Sequence, residues 1–186
     1  MKLKHILFLC VLAATQLTTA QFVKERSLDI AIGYGLSAPY DDVDVLGTGF
    51  YLQGEYVIGL ASWLQLRPYA GLIFAKTNNR DNAPNEPDYR SDSNGVLLGG
   101  KARITAPIPW VAPFVEGGIG ASIGSFETVT PGTNLEAGGL IYHIPFTLGL
   151  ALGPKNNIDV AFTYYFHPTV RQYAGAAALG ISIPLK

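Results

Sequence analysis

Along most of this chain apolar side chains recur at every second position, which is the spacing of a β-strand. In the first such segment Leu28, Ile30, Ile32, Tyr34 and Leu36 fall on one face, with Asp29, Ala31, Gly33 and Gly35 on the other. The alternation recurs in eight segments, at residues 28–36, 50–58, 64–75, 96–105, 111–123, 140–152, 158–166 and 173–185. The gaps between them alternate in length. Those at 59–63, 106–110 and 153–157 are short, while others, among them 77–95 and 124–139, are long.

The two faces separate by chemistry. One carries Phe50, Leu52, Leu64, Leu66, Leu72, Phe74, Val96, Leu98, Val115, Ile119, Leu140, Tyr142, Phe146, Leu148, Val160, Phe162, Leu179 and Ile181, and no charged residue within the eight segments. A Lys or Arg at a bilayer midplane would cost about 2–4 kcal/mol, so this is the face lipid would select. The opposite face mixes glycine and alanine with Asp29, Gln53, Glu55, Arg67, Tyr69, Lys101, Arg103, Glu116, His143, Thr147, Asp159 and Thr163. Segments of this length suffice to cross a bilayer as tilted strands, and only a closed barrel satisfies every backbone group there. The expected fold is all-β: an eight-stranded antiparallel up-and-down transmembrane β-barrel. Short turns are expected on the periplasmic side and long loops outside the cell.

The N-terminus adds direction. Lys2 and Lys4 precede an apolar run at 6–14 and then Thr18-Thr19-Ala20, the pattern of a secretory signal peptide with cleavage after Ala20. The expected organisation is a signal peptide at 1–20 and one barrel domain at 21–186, in the outer membrane. No later stretch is long and apolar enough for a helical span. Cys10 is the only cysteine of the 186 residues, so the mature chain has no disulfide or thiol chemistry. Losing Lys2 and Lys4 leaves 11 basic against 14 acidic side chains, a formal charge of −3, with no basic patch for nucleic acid.

The inward face is the candidate site. Reflecting each hairpin about its short turn, at Ala61 and at Ile108, sets Glu55 opposite Arg67 and Lys101 opposite Glu116. Asp29, Arg103 and Asp159 fall at similar depth, nearer the short turns. The lumen then holds four acids against three bases, and burial favours pairing. Read structurally, this network plugs the barrel; read functionally, it gates a narrow path. An eight-stranded barrel is just wide enough for side chains to fill, which favours the plug. Trp63 and Trp110 at short turns, and Tyr34, Phe50, Phe74, Phe166 and Tyr173 towards the long loops, are candidate interfacial girdles.

Other signals are weak. His143 and His167 have inward parity, which suits hydrogen-bonded lumen residues better than catalysts. Asp41, Asp42 and Asp44 on the first loop, and Asp81, Glu86, Asp88 and Asp92 on the second, read as solvated loops; they lack the spacing of a calcium motif. No cofactor or metal is expected. Pro68, Pro113, Pro145 and Pro184 fall inside expected strands, where bulges near strand ends could absorb three, leaving Pro145 unaccounted for. The run 174–178 has helical rather than strand propensity.

The leader, the eight segments, Leu66-Arg67-Pro68-Tyr69-Ala70-Gly71-Leu72 and the closing Leu179-Gly180-Ile181-Ser182-Ile183-Pro184-Leu185 together resemble the outer-membrane β-barrel domain family of Gram-negative bacteria, over nearly all of the mature chain. Likeness to its small OmpA and OmpX type implies envelope integrity, adhesion or loop-mediated contacts, with no shared catalytic residues. His167-Pro168-Thr169 is similar to the His-x-Ser spacing of lipid A 3-O-deacylases, with threonine in the nucleophile position and a histidine that does not face lipid. The reading is a non-enzymatic scaffold whose partners are the bilayer, its lipids and an unidentified extracellular ligand or protein. The rivals are a narrow pore, a lipid A-modifying enzyme and a soluble lipocalin-like barrel.

Overall fold

The computed structural model describes residues 23–77 and 89–185. The expected leader, with Cys10, and the loop residues Asp81, Glu86 and Asp88 lie outside the described residues. Eight strands follow one another: β1 (Glu25–Pro39), β2 (Gly47–Gly59), β3 (Leu64–Thr77), β4 (Arg90–Thr105), β5 (Trp110–Val129), β6 (Asn134–Gly153), β7 (Ile158–His167) and β8 (Gln172–Pro184). Each pairs antiparallel with the next, and β8 returns to β1, closing an up-and-down barrel. A single 3₁₀ turn, Pro168–Val170, lies between β7 and β8.

The register fixes the barrel's shape. From Glu25 the ladder passes through Gly59, Gln65, Arg103, Glu116, Thr147, Thr163 and Ala176 and re-enters β1 at Gly35, ten residues further on. With about 3.3 Å per residue along a strand and about 4.7 Å between strands, that stagger tilts the strands by roughly 40° from the barrel axis.

Four expectations change. Residues 124–139 are not an open loop: β5 and β6 continue to Val129 and Asn134 and turn through 130–133, where Thr130 N bonds Thr133 O. The run 174–178 is strand, because Ala174 and Ala176 face inward against Tyr165 and the hydrophobic lumen cluster, where only small side chains fit. The two sequence-derived charge pairings are each displaced by two residues: Glu55 stands opposite Tyr69, and Arg103, not Lys101, opposite Glu116. Both turns are centred one residue later than reflection assumed, with Leu60 N and Ala61 N bonding Leu64 O, and Ala106 N bonding Pro113 O. A one-residue shift of centre moves partners by two and leaves every side chain on its face.

The prolines are accommodated without bulges. Opposite Pro145 the β5–β6 ladder breaks between Gly117–Phe146 and Gly120–His143 with unchanged register, while its other flank pairs with Tyr165 of β7. Pro68 does the same: β2–β3 pairing breaks between Glu55–Tyr69 and Ile58–Leu66, and Pro68 pairs with Gly100 on β4. Each missing N–H thus interrupts one ladder locally. Pro113 and Pro184 sit near strand ends.

Candidate functional site

Because strand side chains alternate, odd positions of β1–β4 and β7 and even positions of β5 converge on the lumen. In the half nearer the short turns, the seven charged residues meet. Arg67 on β3 donates to Asp29 on β1 and Glu55 on β2, and its guanidinium also stands 3.5 Å from Glu116 and 4.0 Å from Asp159. Lys101 Nζ lies 2.6 Å from a carboxylate oxygen of both Glu55 and Glu116. Arg103 reaches Glu116 at 2.5 Å and Asp159 at 2.7 Å, with its guanidinium 3.6 Å from the centre of the Phe114 ring. No side chain of the seven is more than 14% exposed. The network borders a cavity of about 30 Å³, closed in part by Thr147, Thr163 and Gly180. That is room for about one or two ordered waters.

Above this lies an uncharged polar layer. Gln53 Nε2 donates to Glu55 at 2.5 Å, the Tyr165 hydroxyl donates to Gln53 Oε1 at 2.5 Å, and the Tyr51 and Tyr165 hydroxyls are 2.8 Å apart. The Tyr69 hydroxyl is 2.5 Å from His143 Nε2, and Ser122 Oγ bridges His143 Nδ1 at 2.7 Å and His167 Nε2 at 2.8 Å. A serine carries one proton, so Ser122 donates to one imidazole and accepts from the other. Sequence parity indicated that both histidines point inward but did not single out Ser122. Its signal was its place in the even series of β5 with Glu116.

Towards the long loops, Phe126, Ile141 and Val170 form an apolar layer. Beside it Gln172 Nε2 donates to Ser37 Oγ at 2.6 Å and Ser91 Oγ at 2.9 Å. Above that, three connections touch. Asp41 accepts from the Thr130 hydroxyl and meets Arg171 at 3.4 Å, while Tyr40 packs against Phe166 and Tyr173. The hydroxyls of Thr130 and Thr133, and then Arg171, hold the Asp41 carboxyl below its ordinary range. Burial, with smaller contributions from Tyr173 and Tyr142, pushes the Tyr40 hydroxyl up to about 12.

The outer wall is apolar. Ile32, Tyr34, Ile119, Leu140, Leu148, Leu179 and Ile181 are all more than half exposed. Among the described strands the outward-pointing charges, Arg26, Lys76, Arg90, Asp92, Glu127 and Glu136, all lie towards strand ends. Soluble monomers rarely expose a contiguous apolar patch larger than a few hundred Å², and a belt round the whole barrel demands a non-aqueous neighbour. Tyr34, Phe50 and Phe74 form one cross-strand row, and Phe166 pairs with Tyr173, at the long-loop end; Trp63 and Trp110 are exposed at the other.

His167 is buried, with its ring 4.9 Å from that of Phe126, whereas Thr169 is exposed on the 3₁₀ turn. The two do not form a lipid-facing pair. Among the described residues no group of three or more His, Cys, Asp or Glu converges as a metal site.

The sequence matches no protein-family model and no curated protein. In structure the chain is similar to Neisserial surface protein A, with a TM-score of 0.59 at 10% identity over 86% of this chain and 97% of that one. It is also similar to Ail, the attachment invasion locus protein of Yersinia pestis, with a TM-score of 0.48 at 16% identity over 87% and 99%. The outer membrane enzyme PagL gives 0.47 at 16% identity over 84% and 99%. The chain has the fold of small eight-stranded outer-membrane barrels.

Proposed function

We propose that this protein is a bacterial outer-membrane barrel that acts as a rigid scaffold for its long-loop end, with a lumen closed to solutes. The observation that carries the reading is the filled lumen, in which a seven-residue charge network leaves a cavity of about 30 Å³ beneath a packed layer where Tyr51, Tyr165, His143 and His167 are each at most 2% exposed. The apolar belt supports membrane residence, and the two connections longer than four residues, 40–46 and 78–89, lie at the same end of the barrel as the extended β5–β6 hairpin, which supports an orientation with that end outside. A leader removed after Ala20 would bring the chain there. Its partners are then the bilayer, its lipids and a ligand held at the loops; no step of the function calls on a catalytic group or a cofactor.

Planar-bilayer conductance of the refolded mature chain tests this, once an unboiled gel shift has shown it folded. The expected result is no discrete steps. Reproducible steps whose size changes with Glu55→Gln would overturn it in favour of a narrow pore gated by Glu55, Arg67, Lys101 and Glu116.

A further inference from the structure

The upper part of β6 has a neighbour on one side only. β6 pairs with β5 from Asn134, opposite Val129, down to Gly153, whereas β7 meets it only from Ile144, opposite Phe166, onward. The 3₁₀ turn beyond β7 covers the inner side, through packing of Val170 near Ile141 and Ala137. Among the described residues, 134–140 make no backbone hydrogen bond on that second flank. An open flank is a template for strand addition, and natural edges are usually blunted by lysine or proline. Here the stretch reads Asn-Leu-Glu-Ala-Gly-Gly-Leu, with one acidic charge and no proline. A Cβ added at Gly138 or Gly139 would meet nothing within 4 Å, so neither face of the strand is covered there, and Gly139, at φ 88°, is the one positive-φ residue of the stretch.

Two further observations say what fits. The described residues at this end carry Asp41, Asp42, Asp44, Asp92, Glu127 and Glu136 against Lys76, Arg90 and Arg171, and two of these cations already pair with Glu127 and Asp41. The field favours a cationic partner. A second copy in the same membrane is excluded by geometry. Its β6 would be related by an axis along the membrane normal, so two strands each tilted roughly 40° would cross at about 80° instead of running alongside.

We propose that the open flank of β6 at residues 134–140 captures an extended basic segment of another polypeptide as an added strand. This deepens the scaffold reading and rests on it only in placing that partner outside the cell.

The probe is a fluorescein-labelled octapeptide alternating Lys and Val, titrated against the full mature chain in lipid nanodiscs by anisotropy. Two versions N-methylated on alternate residues, one for each set, and a Glu-Val version serve as comparisons. Leu135→Pro and Glu136→Pro place the missing N–H on opposite flanks of β6, so one of them leaves the β5 ladder intact. The Lys-Val peptide should bind. N-methylation of one set, the edge-facing proline and the Glu-Val exchange should each weaken binding roughly tenfold or more. No binding of the Lys-Val peptide, indifference to both N-methylated versions, or full binding to a folded edge-facing proline variant would overturn strand addition. Equal binding of the Glu-Val peptide would overturn the basic partner, and a chain dimer that competes with the peptide would overturn the foreign one. Should both proline variants misfold, the N-methylated peptides decide. Labelling of Glu136→Cys on intact cells by an impermeant maleimide separates the two readings. No labelling beside normal peptide binding would sink the orientation and spare the edge; labelling without peptide binding would do the reverse.

Discussion

Arg67→Met removes the guanidinium while keeping an aliphatic stem of similar reach. In the native lumen that group contacts Asp29 and Glu55 and stands 3.5 Å and 4.0 Å from Glu116 and Asp159. Each pair at about 4 Å is worth roughly 4 kcal/mol at an effective dielectric of about 20. Repulsion from Lys101 and Arg103, and the desolvation that arginine requires and methionine does not, offset much of this. What remains is the cost of leaving buried carboxylates without a partner: four acids against two bases in place of three. Removing one side of a buried ion pair typically costs about 3–5 kcal/mol, which shifts the unfolding equilibrium by between two and four powers of ten. Urea unfolding of the barrel in lipid vesicles, followed by the fluorescence of Trp63 and Trp110, gives the number. Arg67→Met combined with Glu55→Gln restores the native excess of one acid, so the pair should be less destabilising than the sum of its parts by about 0.5–3 kcal/mol. A single-variant loss under about 1 kcal/mol, or strict additivity, would refute the view that Arg67 holds the network together.

Ser122→Ala removes one hydrogen bond from each imidazole at once and should cost about 1–3 kcal/mol in the same assay; a loss near zero would mean water replaces the hydroxyl. Gly120→Ala places a methyl against His143, Tyr69 and the Leu98 carbonyl, so it should cost about 1–3 kcal/mol, whereas Gly100→Ala opens onto empty space and should stay within about 0.5 kcal/mol. Equal effects from the two would contradict the inward and outward assignment. Asp41 has a folded pKa below its ordinary 3.8, so its contact with Thr130 and Thr133 contributes fully above that value and is lost as pH falls through the lowered one. Amide protection at 130–133 should therefore weaken as pH falls below the ordinary 3.8 of Asp41, and Asp41→Asn should show the weakened state at neutral pH; protection independent of pH would remove Asp41 from the cap.

The barrel was legible because lipid enforces a period of two, and that constraint acts on each strand separately. Register was less legible. A strand pattern tells which face a residue is on, but turn centres decide which residue it meets, and Ser62 and Trp110 gave no strong turn signal; Trp110 adopts φ 71° without being glycine. The charge cluster nonetheless survives the two-residue error, since Lys and Arg side chains reach diagonal neighbours as readily as direct ones: Arg67, opposite Lys101, still binds Glu55. The outward hairpin extension has the sequence character of a loop because beyond the membrane neither face is held to apolar residues, and the alternation fades at Glu127 and Glu136. Ser122 escaped notice because a serine among glycines carries no sign of what it bonds.

The closed-lumen reading depends less on the charges than on the layer above them. Ion pairs can exchange partners, and Lys101, equidistant from two carboxylates, is already placed to do so. The middle layer has no such freedom. Tyr51, Tyr165, Ile73, Leu97, His143 and His167 are each at most 2% exposed and pack against one another across the barrel, so opening a path there means losing packing as well as hydrogen bonds. Neutralising the network with Arg67→Met and Glu55→Gln should therefore leave the folded barrel electrically silent. Truncating Tyr51 and Tyr165 together to alanine removes two rings from the narrow section and should produce discrete conductance even with every charge in place. If the charge variant conducts while the tyrosine variant stays silent, the seal lies in the ion pairs and the packed middle layer serves stability alone.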